Sequence, residues 1–134
     1  MDGHAYVLSD RTCHLDPDGW GQRAVRALRS VNGDYVIGEV NNGGEMVEHV
    51  VKTADPAVPF QPVRASRGKA TRAQPISALY GNGTDVRPSR IHHVGTFPEL
   101  EDQMTTWVPG DEDSPDRVDA LVWLLTELMI SPTE

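Results

Sequence analysis

The sequence predicts an α/β fold, and three observations carry it. Short apolar runs of strand length alternate with segments of helical periodicity, in the order strand, helix, strand, helix, strand and then further helices. Clusters of Gly, Pro, Asn and Asp mark the joins. The run Tyr35-Val-Ile-Gly-Glu-Val40 is nearly continuous apolar, as expected of a strand covered on both faces, and is the best candidate for the buried centre of a sheet.

Ala5-Tyr-Val-Leu8 reads as a strand ending near Asp10. Asp16-Pro17-Asp18 offers a helix start, and Trp20, Ala24, Ala27, Leu28 and Val31 follow at helical spacing until Asn32-Gly33 closes the helix. After the strand at 35–40, Asn41-Asn-Gly-Gly44 makes a turn and Met46 to Val51 a short helix. Pro56 and Pro59 mark a loop before a strand at Phe60 to Ala65, where Pro62 implies an edge or entry position. Residues 69 to 80 read as helical, with Pro75 near a start or a kink. Gly81-Asn-Gly83 is a turn, Arg90 to Val94 a short strand, and Glu99 to Trp107 a helix. An acidic loop at Pro109 to Ser114 leads into the last helix, Pro115 to about Met129, whose core stripe is Val118, Leu121, Val122, Leu125, Leu128 and Met129.

Bulk properties bound the function. At 134 residues, the chain reads as a single domain, 1–134, and no apolar stretch approaches the eighteen residues of a membrane span. A lone cysteine, Cys13, makes no internal disulfide and fits a reducing cytosol. The net charge of -8 argues against a general polyanion binder. The charge is uneven, however: Arg64, Arg67, Lys69, Arg72, Arg87 and Arg90 face a single acid, Asp85, between positions 64 and 90, while acids dominate after Glu99. A basic strip beside an acidic cluster suits a metal-dependent enzyme acting on phosphates.

Glu39 falls near the carboxyl end of the most apolar strand, the edge at which open α/β sheets bind ligands. On the last helix, Asp116, Asp119 and Trp123 form a second stripe beside the apolar one. Asp116 is explained by ordinary helix initiation, with Ser114 as N-cap and Pro115 in the first turn, whereas Asp119 lies a turn further in. A sheet-end glutamate and helix aspartates are the oxygen ligands that two hard divalent ions require for phosphodiester cleavage. His4, Cys13, His14, His92 and His93 lack a zinc spacing and read as surface residues. Gly68-Lys69 fails as a phosphate-binding loop, since Ala70 follows the lysine.

Four blocks in order, Glu39-Val-Asn-Asn-Gly-Gly-Glu-Met-Val47, Arg64-Ala-Ser-Arg-Gly-Lys-Ala-Thr-Arg-Ala73, Phe97-Pro-Glu-Leu-Glu-Asp-Gln-Met104 and Ser114-Pro-Asp-Arg-Val-Asp-Ala-Leu-Val-Trp123, resemble the nuclease domain of phage large terminases. The resemblance runs from Tyr6 to Leu128. It implies a ribonuclease H-like mixed sheet with flanking helices, two Mg²⁺ or Mn²⁺ ions, and cleavage of concatemeric viral double-stranded DNA in the bacterial host cytoplasm. It further implies the terminase ATPase domain, the small terminase subunit and the portal as partners.

By position, Glu39 resembles the family's second catalytic acid. Asp119, ahead of Asp116, resembles the third. Arg67, Lys69 and Arg72 fall where basic residues could hold DNA phosphates. The family's first acid ends a strand preceding the one that resembles Tyr6-Val-Leu8. The expectation is therefore a fold lacking its first strand or strands, and weak or no activity in isolation. Two alternatives stand beside it: a non-catalytic DNA- or partner-binding remnant, and a small stand-alone resolvase-like nuclease using Asp10 as its first acid.

Overall fold

The computed structural model describes residues 3–40, 46–64, 69–107 and 116–130, and of residues 69–71 and 116 the backbone alone. The turn at 41–44, the loop at 109–114, the first residue of the last predicted helix and Arg67 lie outside the described residues. The described chain is α/β and falls into two compact units, one of residues 11–66 and one of residues 1–10 with 67–134.

The contiguous unit is a strand-helix-strand arrangement preceded by a helix. Helix α1 (Pro17–Ser30) starts where Asp16 accepts a hydrogen bond from the Gly19 amide at 2.8 Å, with proline in the first turn, where its missing N–H leaves nothing unpaired. It ends in a paired closure: Gly33 N–H reaches the Leu28 carbonyl at 2.9 Å and Asn32 N–H that of Arg29 at 3.2 Å. That closure places Asn32 at a φ of 51°, which asparagine tolerates better than most residues. Strands β2 (Val36–Glu39) and β3 (Phe60–Val63) pair in parallel, Val36 beside Phe60 and Glu39 beside Val63, and helix α2 (Met46–Ala54) makes the crossover between them. Val25, Val51 and Val58 form the core, with Trp20, Leu28, Val36 and Phe60 packed on it. Helices α1 and α2 come close at Gly21, where an added Cβ would stand 2.8 Å from a Val50 methyl.

Two expectations change in this unit. The strand at 35–40 is not covered on both faces: Val36, Ile37 and Gly38 are half-buried and Glu39 is exposed, since the two-stranded sheet takes its helical cover from too few elements to enclose it. In α1 the buried positions are Gly21 and Val25, while Val31 is 48% exposed because it caps the helix and leaves the apolar stripe.

The second unit joins the two ends of the chain. Strand β1 (Ala5–Val7) pairs in parallel with β4 (Ile91–His93), Ala5 beside Ile91 and Val7 beside His93. Helices α3 (Lys69–Tyr80), α4 (Pro98–Thr106) and α5 (Asp116–Leu125) bury Ala73, Ile76, Leu100, Val118, Leu121, Val122 and Leu125 against Ala5 and Ile91. Pro75 sits inside α3, past its first turn, where it removes one donor from the helical ladder. Beyond Leu125 the helix widens into a π-helical turn (Thr126–Ile130). The wider turn breaks the 3.6-residue register, so Leu128, expected in the core stripe, is 49% exposed while Met129 still packs on the core.

Candidate functional site

Asp119 is presented by α5, with Trp123 one turn further on the same helix face. Arg72, from α3, lies against both. Its Nη1 donates to Asp119 Oδ1 at 3.2 Å, and its guanidinium carbon stands 4.6 Å from the centroid of the Trp123 ring. The side chains are only 9% and 18% exposed for Arg72 and Asp119. A guanidinium is costly to remove from water, and it is tolerated here because a carboxylate and a negative ring face both receive it. The Asp119 hydrogen bond uses Oδ1.

Glu39 ends β2 with its side chain exposed, at the carboxyl edge of the β2–β3 pair, where the next amide, Val40 N–H, bonds the Val63 carbonyl at 2.9 Å. Asp116 begins α5, and its side chain, like that of Lys69, lies outside what is described. Asp10 is held elsewhere, its Oδ2 accepting from Arg117 Nε at 2.9 Å with side chains 16% and 26% exposed. Of the residues singled out from sequence, the structure brings Arg72 onto Asp119, while Asp10 is met by Arg117, which the sequence did not single out. Sequence placed Trp123 in one stripe with Asp119; what it did not reveal was that a basic residue from another helix would settle between them.

Among the described residues no group of three or more His, Cys, Asp or Glu side chains is gathered to hold a metal ion. Asp119 and Glu39 each carry carboxylate oxygens, the ligand type that hard divalent cations take.

His93 departs from the surface placement expected of the histidines. Its side chain is 14% exposed and links three elements. Nδ1 lies 2.8 Å from Glu101 Oε2 on α4, and Nε2 lies 2.8 Å from the Tyr80 hydroxyl at the end of α3. Glu101 also accepts the Phe97 amide at 3.1 Å, at the start of α4. The hydrogen bond from His93, followed by that from Phe97, holds the Glu101 carboxyl below its ordinary value. Burial, then the nearby Glu101 charge, raises the Tyr80 phenol well above its own. His92, by contrast, stacks on His4 and Tyr6, its Nε2 2.8 Å from His4 Nδ1 in an exposed contact.

Among the described residues no helix is long and apolar enough to cross a membrane. Comparison with family models matches residues 5–128 to the terminase RNase H-like domain. Neither the curated proteins nor the solved structures yield a match.

Proposed function

Because the chain belongs to the terminase RNase H-like domain family, we propose that it is a metal-dependent DNA endonuclease domain of a phage or prophage large terminase, cutting concatemeric viral DNA during packaging. The observation that supports this reading is the Asp119 carboxylate, presented by α5 with its Oδ1 accepting from Arg72. Asp119, Glu39 and Asp116 are the residues to hold Mg²⁺ or Mn²⁺. When bound, such ions supply Lewis acidity toward the attacking and leaving oxygens of a phosphodiester. Arg67 and Lys69 are the phosphate-holding cations, Arg72 being turned onto Asp119. Double-stranded DNA is the substrate, with the terminase ATPase domain, small subunit and portal as partners in the bacterial host cytoplasm.

Nicking of supercoiled plasmid in Mn²⁺ tests it. Asp119→Asn and Glu39→Gln should each lower the rate on the order of a hundredfold, the scale expected when reacting groups lose their alignment. Asp10→Asn should leave cleavage intact, since the resemblance assigns the catalytic acids to Glu39, Asp119 and Asp116 and not to Asp10. Loss of cleavage in Asp10→Asn alone would transfer the assignment to a small resolvase-like enzyme.

A second reading, a DNA- or partner-binding domain without cleavage, is favoured by one observation: Asp119 and Asp10 are both already neutralised by arginines. Retained DNA binding with no metal-dependent nicking at any protein concentration would support it over the nuclease.

A further inference from the structure

We propose that the outer face of helix α1 is a docking surface for the phosphate backbone of double-stranded DNA, engaged through Arg11, Arg23 and Arg26. The inference uses none of the carboxylates of the proposed function and shares with that reading only its ligand, DNA. All three arginines are exposed. Arg23 and Arg26 lie on the side of α1 turned away from Gly21, Val25 and Leu28, which the helix packs inward. Arg23 Nε donates to the Arg11 carbonyl at 2.8 Å, a bond that sets Arg11 beside the helix and uses neither Nη of Arg23.

The charge on this face points to a ligand. The chain carries 20 acids against 12 bases, so carboxylates are in excess for pairing with exposed arginines. Arg29, Arg72 and Arg117 are paired in this way. Among the described residues, Arg11, Arg23 and Arg26 have no carboxylate partner. From Gly19 to Gly33 the sequence holds three arginines and no acid, and the acid nearest to Arg23 along the helix is Asp18, in the first turn. A guanidinium suits phosphate because its planar fork offers two parallel donors to two oxygens. Three helical residues rise about 4.5 Å, comparable with the roughly 3.4 Å of axis per phosphate along one DNA strand. Arg23 and Arg26 therefore match consecutive phosphates, a regular spacing that the carboxylates of an acidic protein surface do not share.

The test is fluorescence anisotropy of a labelled 20-base-pair duplex with the full chain, in EDTA and over a series of salt concentrations. Circular dichroism checks the fold of each variant. Arg23→Gln and Arg26→Gln should each weaken binding by about five- to tenfold at 0.1 M salt and lower the slope of log affinity against log salt by about 1. The double variant should lose about twice that slope, and Arg23→Lys with Arg26→Lys should keep it. Arg29→Gln, on the same helix but paired with Asp55, should change binding less than twofold. Arg11→Gln, which lies before the helix, should repeat the effect should a helix substitution fail to fold.

Wild-type affinity and slope in the folded double variant overturn the surface. Losses no larger than that of Arg29→Gln overturn it too, since they report only the net charge. Binding of poly-glutamate in place of the duplex, abolished in the double variant, overturns DNA as the partner. Plasmid nicking in Mn²⁺ is read alongside. Nicking with unaltered binding in the double variant defeats the surface and leaves the nuclease reading intact. Duplex binding that depends on the arginines, without nicking, supports the surface and defeats the nuclease.

Discussion

His93 and Glu101 are joined by a hydrogen bond of 2.8 Å between Nδ1 and Oε2, and that bond determines what the rest of the ring does. An ionised Glu101 only accepts, so Nδ1 carries the hydrogen. In the neutral ring Nε2 then accepts from the Tyr80 hydroxyl, 2.8 Å away. One carboxylate thereby sets the tautomer of a histidine on β4 and, through it, the direction of a phenol on α3.

Glu101 makes stability depend on pH. Its carboxyl titrates below the ordinary value of 4.5 in the folded chain, so its contribution is complete above that value and is lost as pH falls through the lower, folded one. Thermal melts of wild type and Glu101→Gln from neutral to acid pH should therefore differ most near neutrality and converge on acidification. A gap that stays constant down to pH values well below the carboxylate range would contradict this.

Tyr80 gives the opposite sign at the alkaline end. Its folded-state value lies above 10.0, so the contribution is whole below 10.0 and disappears as pH rises through the folded value. Ultraviolet titration of the wild type should show a phenolate component that ionises late, absent in Tyr80→Phe. At neutral pH that substitution leaves His93 Nε2 without its donor and should cost about 1–3 kcal/mol in denaturant unfolding.

The π-helical turn predicts unequal costs for two leucines that a regular helix would place together. Leu125 is 2% exposed and Leu128 49%. Leu125→Ala should destabilise by roughly 2–5 kcal/mol, the range for a leucine cut back inside a packed core. Leu128→Ala should cost well under half as much, and equal losses in urea titrations would mean that the stripe continues unbroken.

Gly21→Ala probes the approach of α1 to α2. The new methyl would meet a Val50 methyl at 2.8 Å and the Val50 carbonyl oxygen at 3.0 Å, neither of which belongs to a flexible side-chain end. A loss of about 1–3 kcal/mol is expected, the usual cost of overpacking. A variant as stable as the wild type would show that the helices separate easily.

Periodicity located the elements well, because caps, prolines and apolar spacing are local signals. Asp16, Pro17 and Asn32 mark the ends of α1 in the structure as they do in the sequence. What it missed depends on neighbours distant in the chain or on helix geometry. Glu39 could be assigned to a strand end, but the exposure of its strand depends on how many elements cover the sheet. Leu128 fits the helical repeat until the repeat itself changes. His93 has no metal spacing to reveal it, and its partners Tyr80 and Glu101 arrive on two other elements. In sequence Arg72 is one member of a basic strip, yet Asp119 lies 47 positions away and the pairing becomes visible only once α3 meets α5.

The parallel pairing of β1 with β4 also bears on the order in which the chain can fold. His4 and His92, which meet beside that pairing, are 88 positions apart, so this unit forms its sheet only after a long loop has closed. The unit of residues 11–66 is contiguous and carries no such entropic toll. Local structure therefore has the kinetic advantage: once that unit has formed, far fewer residues of the loop remain free, and the closure bringing β1 to β4 becomes less costly. Folding of residues 11–66 is on this account the early event, and docking of the N-terminal strand a late one.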